Sequence, residues 1–190
     1  MTTVAYDGKL LVSDSRMTMG SMVGLTSFQK IYTPEPNEYW EVNGVKAVAF
    51  GLSGNAMSAE YIREKLGEGI NFRTKFEEKD MVFSAIVVDE NGNAYKWSVT
   101  KIRKRDEDRW EFIPMLPPVA IGSGQFFAMG IFAIGKNAKV AVKTACRLDK
   151  YSGGDLQVYQ FPGKPVVPSV RPIVAQPEVP EPVTQVTPKT

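Results

Sequence analysis

The chain has 190 residues, 43% of them apolar, and its 23 basic against 21 acidic side chains leave a net charge of +2. That length suits one domain, or one domain with a tail, and so small a charge gives no argument for a nucleic-acid or acidic-surface partner. With no histidine and a single cysteine, Cys146, the composition excludes Ser-His and Cys-His triads, most catalytic zinc sites and an intramolecular disulfide framework.

The predicted elements begin with a hairpin. Asp7-Gly8 separates Thr3-Val4-Ala5-Tyr6 from Lys9-Leu10-Leu11-Val12 and predicts a two-residue turn, which would set Thr2 across from Ser13. Asn43-Gly44 predicts a second hairpin between residues 38–42 and 45–52, and Asn91-Gly92 a third between 83–88 and 94–99. Helical spacing appears at residues 56–66, at 126–134 and at 138–148, the last after an Asn137 cap. Strand clusters flanking helical segments predict an α+β layered fold.

Residues 113–135 form an uncharged run long enough to raise the question of a membrane span. Pro114, Pro117, Pro118 and Gly122-Ser123-Gly124 interrupt it, so a buried strand followed by a packed helix is expected, with no membrane span. No charged-then-apolar segment opens the chain, and together with one cysteine this makes a reducing cytoplasm the expected compartment. Lys101-Ile102-Arg103-Lys104-Arg105 is followed at once by Asp106-Glu107-Asp108, which cancels it as a nucleic-acid patch; a solvated hairpin tip between residues 95–102 and 110–115 is expected. Residues 162–190 alternate Pro with Val, Glu, Gln and Thr and contain no aromatic, a composition that predicts an extended, disordered tail, a solvated linker or a contact for a partner. The domain division is therefore 1–161 and 162–190.

A chain without histidine can still run nucleophilic catalysis from its amino terminus. Removal of Met1 would expose Thr2, whose own α-amine, with an ordinary pKa of about 7.7–8.0, is partly neutral at physiological pH and can act as the base.

Six short segments, read in order, resemble the proteasome β-subunit branch of the N-terminal nucleophile hydrolases, especially its compact bacteriophage-encoded members. They are Thr2-Thr3-Val4-Ala5-Tyr6, Asp14-Ser15-Arg16-Met17-Thr18, Lys30-Ile31-Tyr32, Gly51-Leu52-Ser53-Gly54-Asn55-Ala56, Ala120-Ile121-Gly122-Ser123-Gly124 and Asp149-Lys150-Tyr151-Ser152-Gly153-Gly154. The resemblance implies an αββα sandwich of two antiparallel sheets; the chain departs from it between Gly67 and Asp80, a short stretch with two glycines where the second helix of that layer is expected to be reduced or missing. It also implies a threonine-type peptidase acting on peptides or unfolded proteins, assembled as a homo-oligomer, with no metal or organic cofactor.

The same resemblance implies the roles. Thr2 would be the nucleophile, Lys30 the cation beside it, Asp14 the partner of Lys30, and the backbone N–H of Gly54, at a helix start, the oxyanion donor. Ser123, Asp149 and Ser152 would position the terminal amine. Met17, Phe28, Leu52 and Ala56 would line an apolar first specificity pocket, and Thr18 and Asn55 would flank the extended substrate. Each has a blander reading: Lys30 with Asp14 as a structural ion pair, Gly54 as a helix start, Asp149 with Ser152 as a turn cap, and Met17, Phe28 and Leu52 as core.

The chain departs from the family pattern in its first arm. Between Thr2 and Asp7-Gly8 roughly four residues fewer are present, a shortfall of roughly 13 Å at strand spacing. Either the hairpin takes another register, or the polar residues surround a site without its nucleophile, in a catalytically silent relative that acts as a structural or interaction protein.

Overall fold

The computed structural model describes residues 2–19, 22–74, 82–102 and 107–161. The proline-rich segment 162–190 and the basic tip at 103–106 lie outside the described residues. In chain order the elements are β1 (Thr3–Tyr6), β2 (Leu10–Ser13), β3 (Thr18–Met19), β4 (Met22–Val23), β5 (Ile31–Tyr32), β6 (Glu41–Val42), β7 (Val45–Gly54), α1 (Ser58–Glu68), β8 (Phe83–Asp89), β9 (Ala94–Ile102), β10 (Glu107–Met115), β11 (Val119–Gly122), α2 (Gln125–Ala133), α3 (Ala138–Leu148) and β12 (Gln157–Gln160).

Two antiparallel sheets carry the architecture. One has the order β11-β1-β2-β12, and the other runs β10-β9-β8-β7-β5 with β6 also on β7. Three apolar clusters between the elements make four layers. Ala59, Ile62 and Leu66 of α1 pack on Phe50, Leu52, Phe83 and Trp97 of the larger sheet. Val4, Tyr6, Leu11 and Ile121 of the smaller sheet meet Ile86 and Val88 of the larger one between the sheets. Ala5 and Val12, on the opposite pleat of the same two strands, pack under Ala128, Phe132, Ala141 and Val142 of α2 and α3. Strand side chains alternate between faces, so β1 and β2 serve two cores at once, and all four β1 residues are buried.

The turn chemistry holds where local conformation decides it. At the second hairpin Val42 pairs with Val45, and Asn43 and Gly44 take φ of 50° and 76°, as a two-residue type I′ turn requires. Asn137 caps α3 by accepting from the Val140 N–H at 3.1 Å. The 113–135 run resolves into the end of β10, then β11 and α2. Among the described residues no helix is long and apolar enough to cross a membrane. Between α1 and β8 no second helix occurs among the described residues.

The first hairpin differs from expectation. Tyr6 pairs with Leu11 and Val4 with Ser13, so four residues, Asp7 to Leu10, separate the paired positions rather than two, and Leu10, the first residue of β2, pairs with β12 instead. The cause is the Asp7 carboxylate. Its Oδ1 accepts from the Lys9 and Leu10 N–H groups at 2.9 and 2.8 Å, while Oδ2 accepts from the Ala138 N–H at the start of α3, at 2.8 Å. A loop anchored to a helix terminus in this way is favoured over a tight turn. Thr2 therefore does not pair across from Ser13; the register advances two residues and carries it past Asp14.

Candidate active site

The register sets the site. Just beyond β2, the Asp14 N–H donates to the Thr3 carbonyl at 3.2 Å and the Thr3 N–H donates back to Asp14 Oδ1 at 2.9 Å. Thr2, one residue further out and 4% exposed, lines a cavity of about 330 Å³ together with Lys30, Gly54, Met17, Phe28 and Leu52. The offset pairing carries Thr2 two residues further along than a tight turn would, about 7 Å at strand spacing.

Asp14 is the hub. Its carboxylate is fully buried and accepts from Thr3 N and Lys30 Nζ on Oδ1, both at 2.9 Å, and from Arg16 N (3.2 Å) and Gly153 N (2.9 Å) on Oδ2. Four donors on one carboxylate compensate much of its burial. Lys30 is 4% exposed and also donates to the Arg16 carbonyl at 2.6 Å. Burial pushes the Lys30 ammonium below the usual lysine range, against the raising influence of the Asp14 charge and hydrogen bond.

On the other side of the terminal strand, Asp149 Oδ2 accepts from Ser123 Oγ at 2.6 Å and from Ser152 Oγ at 2.7 Å, and its Oδ1 accepts from the Tyr151 N–H at 3.1 Å. Burial acts to raise this carboxyl, but the three hydrogen bonds outweigh it and hold Asp149 below the usual carboxylate range. Ser123 Oγ lies 3.5 Å from the Thr2 carbonyl oxygen. The Thr3 hydroxyl pairs with Ser152 Oγ at 2.6 Å, and because Ser152 spends its proton on Asp149, Thr3 is the donor. Thr3 is fully buried in that chain of hydroxyls, so of the two adjacent threonines it is Thr2 that faces the cavity.

Close approach of the strands depends on Gly122, which pairs with Thr3 at φ +93°. A Cβ there would run into the Thr2 carbonyl oxygen and lie 2.9 Å from Ser53 Oγ.

The substrate-side residues gather as well. Met17, Thr18, Phe28, Leu52, Asn55 and Ala56 all line the cavity. Leu52 is 3% exposed and also belongs to the core against α1, so the core and pocket readings both hold for it. One placement is corrected. Gly54 does not stand at a helix start: it ends β7, a turn of three residues follows, and α1 begins at Ser58. Its N–H is therefore not among the free donors of a helix terminus, and the helix dipole is displaced from it.

Sequence reasoning missed Arg16 and Met57 as cavity residues and Gln157 as a contact of the Lys30 segment. Arg16 lay inside a quoted motif; a lone glutamine carries no motif. Cys146 is half-buried, and burial, with Asp14 adding to it, pushes its thiol up to about 11, which makes it an unreactive packing group. No group of His, Cys, Asp or Glu among the described residues is arranged to hold a metal ion.

No family model and no curated protein matches the chain. Among solved structures it is similar to Thiobacillus denitrificans BPH at 11% identity and a TM-score of 0.48, covering 84% of this chain and 97% of that one.

Proposed function

We propose that this chain is a threonine-type peptidase of the proteasome β-subunit kind, with Thr2 as nucleophile after removal of Met1. The observation that carries the reading is the offset first hairpin, because it sets Thr2 at the cavity that Lys30 also lines, with Asp14 bonded to both Lys30 and Thr3.

The chemistry follows from these groups. The Thr2 hydroxyl oxygen attacks the substrate carbonyl carbon and its proton passes to the Thr2 α-amine, which then delivers it to the departing amine as the C–N bond breaks. A water hydrolyses the resulting ester and regenerates Thr2. Lys30, charged beside the nucleophile, favours its deprotonated form, and a lysine whose pKa burial has already lowered also holds its proton less firmly. Ser123, Ser152 and Asp149 hold the terminal strand from the other side. The Gly54 N–H stays in the scheme as oxyanion donor on its own, without a helix terminus behind it.

Met17, Phe28, Leu52 and Ala56 make the first specificity pocket apolar, so cleavage is expected after apolar residues. Assembly with copies of the same chain belongs to the proposal. Its support is α2, which has no charged residue and leaves Phe126 79% exposed, with Phe127, Met129 and the following Ile134 also exposed. A cytoplasmic setting remains the proposed compartment.

The test is hydrolysis of a peptide panel by the wild-type chain and by Thr2→Ala. Turnover after apolar residues that vanishes in Thr2→Ala supports the reading. Turnover confined to basic or acidic positions removes the pocket assignment, and turnover unaffected by Thr2→Ala removes the nucleophile.

A further inference from the structure

Lys30 has to be held by its backbone as well as by its ion pair, and the fold leaves that backbone half paired. Residue 30 immediately precedes β5, which is the last strand on its side of the larger sheet. On the sheet side the Lys30 carbonyl accepts from the Leu52 N–H at 2.8 Å. On the open side no strand among the described residues continues the sheet. The smaller sheet ends nearby at β12, which is paired through its own backbone to β2, with Gln157 opposite Ser13.

One side chain closes the gap. Gln157 Oε1 accepts from the Lys30 N–H at 2.8 Å and from the Ile31 N–H at 3.2 Å, while its Nε2 donates to the Phe28 carbonyl at 2.7 Å. The primary amide thus presents an acceptor and a donor to the segment, as the peptide group of a neighbouring strand would. No other residue type of this length offers both. A carboxylate would keep the two N–H partners but face the Phe28 carbonyl with no proton to give, and a thioether would satisfy none of the three.

We propose that Gln157 is the positioning residue of the site: through three backbone bonds it sets Lys30 beside the nucleophile and Phe28 in the wall of the specificity pocket. The consequence for catalysis rests on the peptidase reading; the consequence for backbone order does not. Gln157 touches neither substrate nor the reacting atoms and acts through the segment it holds.

Two variants of the full chain separate the contributions, with residue-resolved amide hydrogen exchange and steady-state kinetics on an apolar peptide as readouts. In Gln157→Met, exchange at Lys30 and Ile31 is expected to rise about tenfold, the worth of a typical hydrogen bond, with Leu11 and Val12 still protected. With that change, kcat should fall and KM rise. In Gln157→Glu, protection at Lys30 and Ile31 is expected to persist, so kcat is retained, while loss of the donor to Phe28 raises KM alone. Unchanged exchange at Lys30 and Ile31 in Gln157→Met overturns the proposal. So does accelerated exchange spread evenly over the chain, or an identical effect of the two substitutions. The expected exchange pattern in a protein that cleaves no peptide at all, wild type included, sustains the positioning role and removes the peptidase reading instead.

Discussion

Replacing Asp14 by asparagine changes one atom and tests whether the hub depends on a full carboxylate. All four partners of Asp14 are donors: Lys30 Nζ and Thr3 N on one oxygen, Arg16 N and Gly153 N on the other. An amide supplies one acceptor oxygen and one NH₂, so in either orientation two donors meet another donor in a fully buried position. Two unsatisfied buried donors cost about 1–3 kcal/mol each. Loss of the anion also leaves Lys30, 4% exposed, without its counter-charge, and breaking such a pair costs about 3–5 kcal/mol. These penalties share the same relaxation and do not add, so the expected loss is about 3–5 kcal/mol, a large part of a domain's stability.

The pH dependence carries the diagnosis. In the Asp14→Asn variant, burial without a counter-charge lowers the folded-state pKa of Lys30 further still, so between that value and the unfolded lysine value of about 10.4 the unfolded chain binds more protons. Stability of the variant then rises with pH across that window, and its deficit against wild type narrows from pH 7 to pH 10. Urea unfolding at both pH values reads the effect. A deficit below about 1 kcal/mol, or one that does not narrow, would show that Lys30 and Asp14 are not coupled as a buried pair.

Gly122→Ala is expected to cost about 2–5 kcal/mol, from a left-handed backbone conformation and the collision with the Thr2 carbonyl, and to abolish Thr2-dependent turnover; thermal unfolding and the peptide assay check it. Ser123→Ala removes one of three bonds that hold Asp149 ionised, a charged hydrogen bond worth about 1.5–3 kcal/mol. Because the folded-state pKa of Asp149 is depressed, that stability is present above the unfolded carboxylate value and lost as pH falls through the folded one. The Ser123→Ala deficit should therefore be full at pH 7 and shrink in acid; urea midpoints at pH 7 and pH 3 measure it. Phe126→Glu in the exposed face of α2 should leave folding intact and lower the assembled mass seen by light scattering, and an unchanged mass would remove that face as the contact.

The layers were legible because their signals are local. Asn43-Gly44 specifies its turn from two residues, and Asn137 specifies a helix start from one. The helices at 58–68 and 125–133 fall within two residues of the periodicity, as fraying and caps allow. Asp7-Gly8 misled for a physical reason: the Asp7 carboxylate that bonds Lys9 and Leu10 within the loop is also tied to the Ala138 N–H, more than a hundred residues away, a contact no local pattern records. β12 was not anticipated, since four residues between a glycine turn and a proline-rich stretch give little periodicity, and Gln157 went unseen with it. The candidate site was legible residue by residue because the motifs carry the polar groups, whereas their assembly was not. Whether Thr2 and Lys30 line one cavity depended on a hairpin whose register tertiary contact helps to set.

Thr2, once exposed, is proposed to be a nucleophile supported by Lys30. Intact mass with amino-terminal mapping, before and after treatment with a threonine-directed covalent inhibitor, tests it most directly. A chain lacking Met1 that gains a single adduct on Thr2 is expected, with no adduct in Thr2→Ala and slowed labelling in Lys30→Ala. A chain that retains Met1, or a processed chain that takes no adduct on Thr2, would contradict it.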